Sequence, residues 1–249
     1  EMGNKLNKDE KTIGPHNDRS GRFAIYYAPT PFSALHSLGS TWLGRDSATG
    51  KIIEQPSISG ITSERLSELT KSARHYGFHA TLKAPFQLKH GTTLTLLKQT
   101  LRQVFGDASP FHINLDVLRL GKLFALMLSK PNPKIQSLAE IVVREIDAFR
   151  EPITKEELAV RRSKGLTPSQ DENLINWGYP YVFSEFRFHI TLTGKIQLSK
   201  EQAIIYDAIQ SHFSEFLNKR IKIEYICLFR QTNRETPFLL VDQFKLGLK

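Results

Sequence analysis

Two short phrases of this 249-residue chain carry residue types that can move protons: "YGFHATLKAPF" at 76–86 and "FRFHITLTG" at 186–194. Each sets a histidine two residues before a threonine, His79 with Thr81 and His189 with Thr191. Eight histidines and seventeen threonines make about half of one His-x-Thr expected by accident, so the spacing alone means little. The shared flanks, Phe before and Leu after, lower that expectation to about 0.004 and make the pair specific. In a strand, residues i and i+2 share a face. His79 and Thr81 then project together, while Phe78, Ala80 and Leu82 turn to a core. The second phrase repeats the arrangement.

Four such side chains suit displacement at a phosphodiester. That reaction needs a base on the attacking oxygen and an acid on the leaving oxygen. Two imidazoles with ordinary pKa values of about 6.5 can divide those roles, one neutral and one protonated. Threonine hydroxyls can donate to the non-bridging oxygens. The scheme requires neither metal nor cofactor.

Other candidates lie on the same faces. Alternation carries Lys83 along the His79 face and sets Arg187 before His189, so both are candidate phosphate contacts, against the plainer reading of solvated strand cations. Tyr26, on one face of "RFAIYYAP" with Arg22 and Ala24, is a candidate for the groove edge, against the plainer reading of a core tyrosine. Tyr179 and Tyr181 of "WGYPYV" are placed to stack a base; a packed loop corner explains them equally well. Gln231 is a weaker polar candidate. His112 is a decoy, with Asn114 where a threonine is wanted. The other histidines lack a partner at useful spacing, and one cysteine, Cys227, supports neither a zinc cluster nor an internal disulfide.

The elements around the phrases repeat. A strand at 22–29 and helices at 31–43 and 62–73, the latter capped by Thr62, precede the first motif strand at 76–88. A helix at 93–105 and a strand at 111–120 follow it. The order then restarts: strand 123–130, helix 132–149 with Ile135, Leu138, Ile141, Val142 and Ile146 on one face, motif strand 185–196, helix 199–217, strand 221–229. Ile113 and Ile223 both stand 34 residues after their histidine, so the unit reads as an internal duplication. Residues 151–176 break the symmetry as a short helix and a loop interrupted at Pro168, either a lid or a solvated excursion.

The net charge is +9, and the first twenty residues sum to zero, so the excess sits on the remainder and favours anionic partners. Residues 1–20 are polar and aperiodic, a disordered tail by composition, without the apolar core of a signal peptide. No apolar run has the length of a membrane span. The cytoplasm and a monomer are the expectations.

The paired motifs resemble the two-histidine (2H) phosphoesterase superfamily. With "RFAIYYAP", "WLGRDSATG", "WGYPYVFSEFRFHITLTGK" and "LFRQ" before "PF", the likeness narrows to the branch found beside bacterial phosphonate-utilisation genes. The resemblance implies an α+β, bilobal, pseudo-two-fold fold, with antiparallel sheets lining a central groove and helices outside. One such domain would span 21–249, with about 22–120 carrying the first motif and about 121–246 the second. It implies metal-independent cyclic-phosphodiester chemistry with His79, Thr81, His189 and Thr191 as the catalytic set, and the leading reading is the opening of a cyclic phosphate on a nucleotide, RNA end or sugar phosphate. The alternatives are an RNA-end 2′-5′ ligase and a non-catalytic RNA- or nucleotide-binding module.

Overall fold

The computed structural model describes residues 20–248; the tail expected over 1–20 lies, but for its last residue, outside the described residues. Alternating apolar positions produce strands wherever one face meets helices. Strand β1 (Arg22–Tyr27) sends Phe23, Ile25 and Tyr27 to the main core and Ala24 and Tyr26 to a smaller cluster on the opposite face. Helices α1 (Ala34–Leu43) and α2 (Ser63–Tyr76) follow, capped by Ser33 and Thr62, whose hydroxyls accept from backbone N–H groups three residues on. After β2 (Ala80–Phe86) come α3 (Leu94–Gly106), β3 (Phe111–Leu120), β4 (Leu123–Leu128) and α4 (Pro133–Ile146). Two short helices, α5 (Lys155–Arg162) and α6 (Pro168–Trp177), precede β5 (His189–Thr191). The chain ends through α7 (Ser199–His212), β6 (Arg220–Ile223), β7 (Tyr225–Gln231) and β8 (Leu239–Lys245).

The fold class is α+β. Among the described residues, eight strands form one antiparallel sheet in the order β6-β3-β4-β5-β2-β1-β7-β8. The two motif strands are neighbours at its centre, where Ala80 pairs with Ile190. Outward from that pair the halves correspond: β1 flanks β2 as β4 flanks β5, and β7 flanks β1 as β3 flanks β4. Each half therefore takes its third strand from the other stretch of chain. Only Glu224 separates β6, bonded to β3, from β7, bonded to β1. A single residue spans at most about 3.6 Å, so this continuous segment pulls the far sides of the sheet together and makes it curl.

Several boundaries depart from the periodicity. The second motif strand keeps only three paired residues, because a 3₁₀ turn occupies Phe183–Glu185 ahead of it. Beyond it, Leu192 and Thr193 hang from the Phe124 carbonyl and Gly194 from that of Leu69. Pro31 stays outside α1, where Phe32 takes a φ of 67°. Pro168 begins a helix instead of breaking a loop, as N1 suits a residue without an N–H; Thr167 and Gln170 close a capping box around it. Ile141 is largely exposed despite its place in the apolar pattern of α4. Strand β8 has no counterpart in the sequence reading.

Candidate active site

The motif residues obey the expected alternation. Phe78, Ala80 and Leu82, and Phe188, Ile190 and Leu192, are all buried in the main core. The Phe78 ring lies so close over Gly39 of α1 that a Cβ there would come within 2.2 Å of it. Antiparallel continuation of the Ala80–Ile190 pair sets His79 beside Thr191 and Thr81 beside His189. The four polar side chains thus share the face opposite the main core. Side chains directly opposite have Cβ atoms about 5 Å apart and diagonal ones about 7–8 Å, so the two imidazoles stand as diagonal neighbours across the strand pair.

Both rings are fastened alike. His79 Nδ1 donates to the Gly77 carbonyl at 2.9 Å, and His189 Nδ1 to the Arg187 carbonyl at 2.7 Å. A carbonyl can only accept, so the proton of each neutral ring is held at Nδ1 and the lone pair at Nε2. His79 Nε2 accepts from the Thr81 hydroxyl at 3.2 Å.

Their surroundings differ. Tyr26 is fully buried and its ring lies 3.9 Å from that of His79, centre to centre, while Tyr76 stands 6.1 Å off. Burial, with a smaller contribution from the charge of His189, pulls the His79 imidazole down to about 4 against the hold of the Gly77 carbonyl. In the other half, the strand position that pairs with the motif threonine is Ala125, where the first half has Tyr26. A methyl stands where the first half has an aromatic ring.

Gly77 positions the first imidazole. It ends α2 with φ 92° and ψ 177°, a region essentially reserved for glycine, and a Cβ there would fall 2.6 Å from that of Ser47. Gly77→Ala should cost about 1–3 kcal/mol of stability and displace the carbonyl that orients His79. Urea unfolding checks the first effect; unchanged unfolding would show that the turn relaxes freely.

The flanking candidates separate. Lys83 is not on the histidine face. The pairing shifts from Tyr26–Thr81 to Ile25–Lys83, a bulge at Leu82 that turns Lys83 to the core side. There its ammonium meets Asp147 at 3.1 Å and the Val143 carbonyl at 3.2 Å, and burial lowers its pKa to about 8. Arg187 is exposed beside His189, and no described ion pair holds its guanidinium. Tyr179 is half-buried under the Arg161 guanidinium, 5.4 Å from its ring. Burial and, secondarily, the neighbouring Tyr76 hold Tyr26 well above the usual phenol range. Tyr181 is exposed, edge-on to Tyr179 at 5.5 Å. Gln231 bridges instead, accepting from Arg22 at 2.6 and 2.8 Å and meeting His75 Nε2 at 2.8 Å.

Tyr76 and Arg22 are the site neighbours that sequence reasoning passed over. Arg22 carried a signal, since it alternates with Tyr26 along β1. Tyr76 carried none, because its place at the end of α2 follows from the helix length. Among the described residues no group of three or more His, Cys, Asp or Glu is arranged to hold a metal ion, and no helix is long and apolar enough to cross a membrane.

A face carrying two similarly fastened imidazoles and two threonine hydroxyls defines the class of site. The chain belongs to a family described as a protein of unknown function, DUF1045, whose model matches residues 81–239 and so includes Thr81, His189 and Thr191. A protein of Janthinobacterium sp. (strain Marseille) named ribose 1,5-bisphosphate phosphokinase PhnN is 38% identical over 224 residues, 88% of this chain and 49% of the relative. One of the same name from Laribacter hongkongensis (strain HLHK9) is 35% identical over 175 residues, 70% of this chain and 40% of the relative. The chain spans about half the length, or less, of these curated relatives. Loosely similar solved structures include E. coli LigT complexed with NADP+, at 8% identity and TM-score 0.42, covering 92% of this chain and 99% of that one. The TT0787 protein of Thermus thermophilus, at 13% identity and TM-score 0.45, covers 91% and 98%.

Proposed function

We propose that this protein is a metal-independent phosphodiesterase that opens a cyclic phosphodiester on a small sugar phosphate, a nucleotide or an RNA end. One observation carries the reading: both imidazoles are fixed through Nδ1 to a carbonyl two residues back, with two threonine hydroxyls on the same face. His79, held neutral by burial, takes a proton from water at Nε2 as the water oxygen bonds to phosphorus. The bond from phosphorus to one ring oxygen breaks, and His189 delivers a proton to that oxygen from Nε2. A phosphomonoester and a free hydroxyl result. The Thr81 hydroxyl, bonded to His79 in the free protein, turns with that of Thr191 to the non-bridging oxygens as their charge grows.

The name of the curated relatives, a kinase of a ribose bisphosphate, supports the sugar-phosphate substrate. The motif resemblance supports a place in phosphonate utilisation. A panel of cyclic sugar phosphates, 2′,3′-cyclic nucleotides and cyclic-ended oligonucleotides, assayed with EDTA, tests the reading. Turnover is expected to persist in the chelator; loss restored by a divalent ion would refute the metal-free mechanism. Joining of RNA ends would favour the ligase, and binding without turnover the non-catalytic module.

A further inference from the structure

On the histidine side of the sheet, a cavity of about 740 Å³ opens beneath α5, lined by Arg22, Tyr76, Arg161, Lys164 and Arg234 among others. Tyr76 lines this cavity and its ring lies 6.1 Å from that of His79, so the cavity adjoins the His79 site. The first helix of the segment over 151–176 lines this space beside the candidate catalytic pair.

The charges in that space are unevenly committed. Arg150 is paired with Asp147, and Arg234 with Glu157. Arg22 hydrogen-bonds to the neutral Gln231 and lines the cavity with Tyr76. Among the described residues, Arg161 has the Tyr179 ring and no carboxylate, and the Lys164 ammonium has no ion pair. The acids outside any described ion pair, Glu151 and Glu156, are exposed at the rim, whereas Arg22 and Arg161 are half-buried. Guanidinium groups half-withdrawn from water and free of carboxylates form a receptor for a planar or tetrahedral oxyanion.

We propose that this cavity is a second anion subsite, which takes a phosphomonoester on the same small molecule whose cyclic phosphodiester lies at His79 and His189. The inference rests on the phosphodiesterase reading and narrows its substrate class to a compact sugar or nucleoside carrying two phosphorus groups. Arg161, in the last turn of α5, and Lys164, just beyond it, grip the distal phosphate, and Arg22 borders it from β1. Tyr76 forms the wall that the sugar crosses.

The test compares matched substrates that differ only in the distal phosphate: ribose 1,2-cyclic phosphate with and without a 5-phosphate, and a 2′,3′-cyclic nucleoside phosphate with and without a 5′-phosphate. Charge-assisted contacts of this kind should raise kcat/KM for the phosphorylated member by about 10- to 100-fold. In an Arg161→Gln, Lys164→Gln variant, the ratio between members should fall towards one. Equal turnover of both members by the wild type would overturn the subsite and leave the phosphodiesterase reading standing. A higher kcat/KM on a cyclic-ended oligonucleotide than on either small pair would also overturn it, in favour of an extended RNA strand. If no cyclic phosphate is turned over, calorimetric binding of ribose 5-phosphate decides. Binding weakened about tenfold or more by the variant would uphold the subsite while the phosphodiesterase reading falls. Binding that is absent, or equal in both proteins, would end the proposal.

Discussion

His79→Ala should lower turnover of a cyclic phosphodiester by about 10²–10⁴-fold, the usual worth of a positioned proton-transfer group. His189→Ala should fall in the same range, and the double variant should be little worse than either single one, since the two groups act as a unit. Wild-type turnover in the double variant would end the enzyme reading. The pH profile adds a readout that a structural histidine would not move. His79 is depressed to about 4 by burial, so it stays neutral down to that pH. The acid limb of kcat/KM should therefore lie near 4 rather than about 6.5. An acid limb near 6.5 would remove His79 from the role of base. The same shift bears on stability. A depressed imidazole contributes fully above about 6.5, and that contribution is lost as the pH falls through the folded value.

The second large effect belongs to the threonines. Thr81→Ala or Thr191→Ala removes one donor to the developing charge, for which about 10²–10³-fold in kcat is the guide. Thr81 also donates to His79 Nε2 in the free protein, so its loss frees the lone pair of the base. Thr81→Ala should move the acid limb slightly upward as well as lower kcat. Thr191→Ala should lower kcat alone. Two variants with equal, small effects on KM and none on kcat would mean that the hydroxyls only bind ligand.

The residues that local patterning governs were legible. Two-residue alternation placed Phe78, Ala80 and Leu82 in the core and the histidine with its threonine opposite, because strand geometry leaves no other choice. Thr62 as a cap followed from a hydroxyl ahead of an apolar stripe. Lys83 was misplaced because alternation fails at a bulge, and a bulge is set by how two strands pair, not by the residues of one. The break at Glu224 was hidden for a related reason: "IKIEYICLF" is rich in strand-forming apolar residues on both sides of it, and only the two separate partners of β6 and β7 divide it. The brevity of β5 escaped likewise, since apolar residues can be buried beside a sheet without joining its ladder. The cavity beneath α5 unites Arg22, Tyr76 and Arg161 from remote stretches of chain. No window of sequence contains them together, so their joint chemistry appears only in three dimensions.

The exchange of outer strands between the two stretches of chain has a consequence for how the protein is assembled. Strand β1 cannot complete its pairing until β7 exists, with Arg22 opposite Gln231, and β3 waits for β4 and β6. A fragment ending near residue 120 would carry His79 and Thr81 on a sheet with raw edges and an uncovered core. The halves are knitted together like clasped fingers, and neither is a module that evolution or an experimenter can lift out whole. Such pairings between remote residues close large loops before they gain contacts, which slows folding. The candidate pair His79 and His189, lying on the seam, is assembled only when the entire weave has closed.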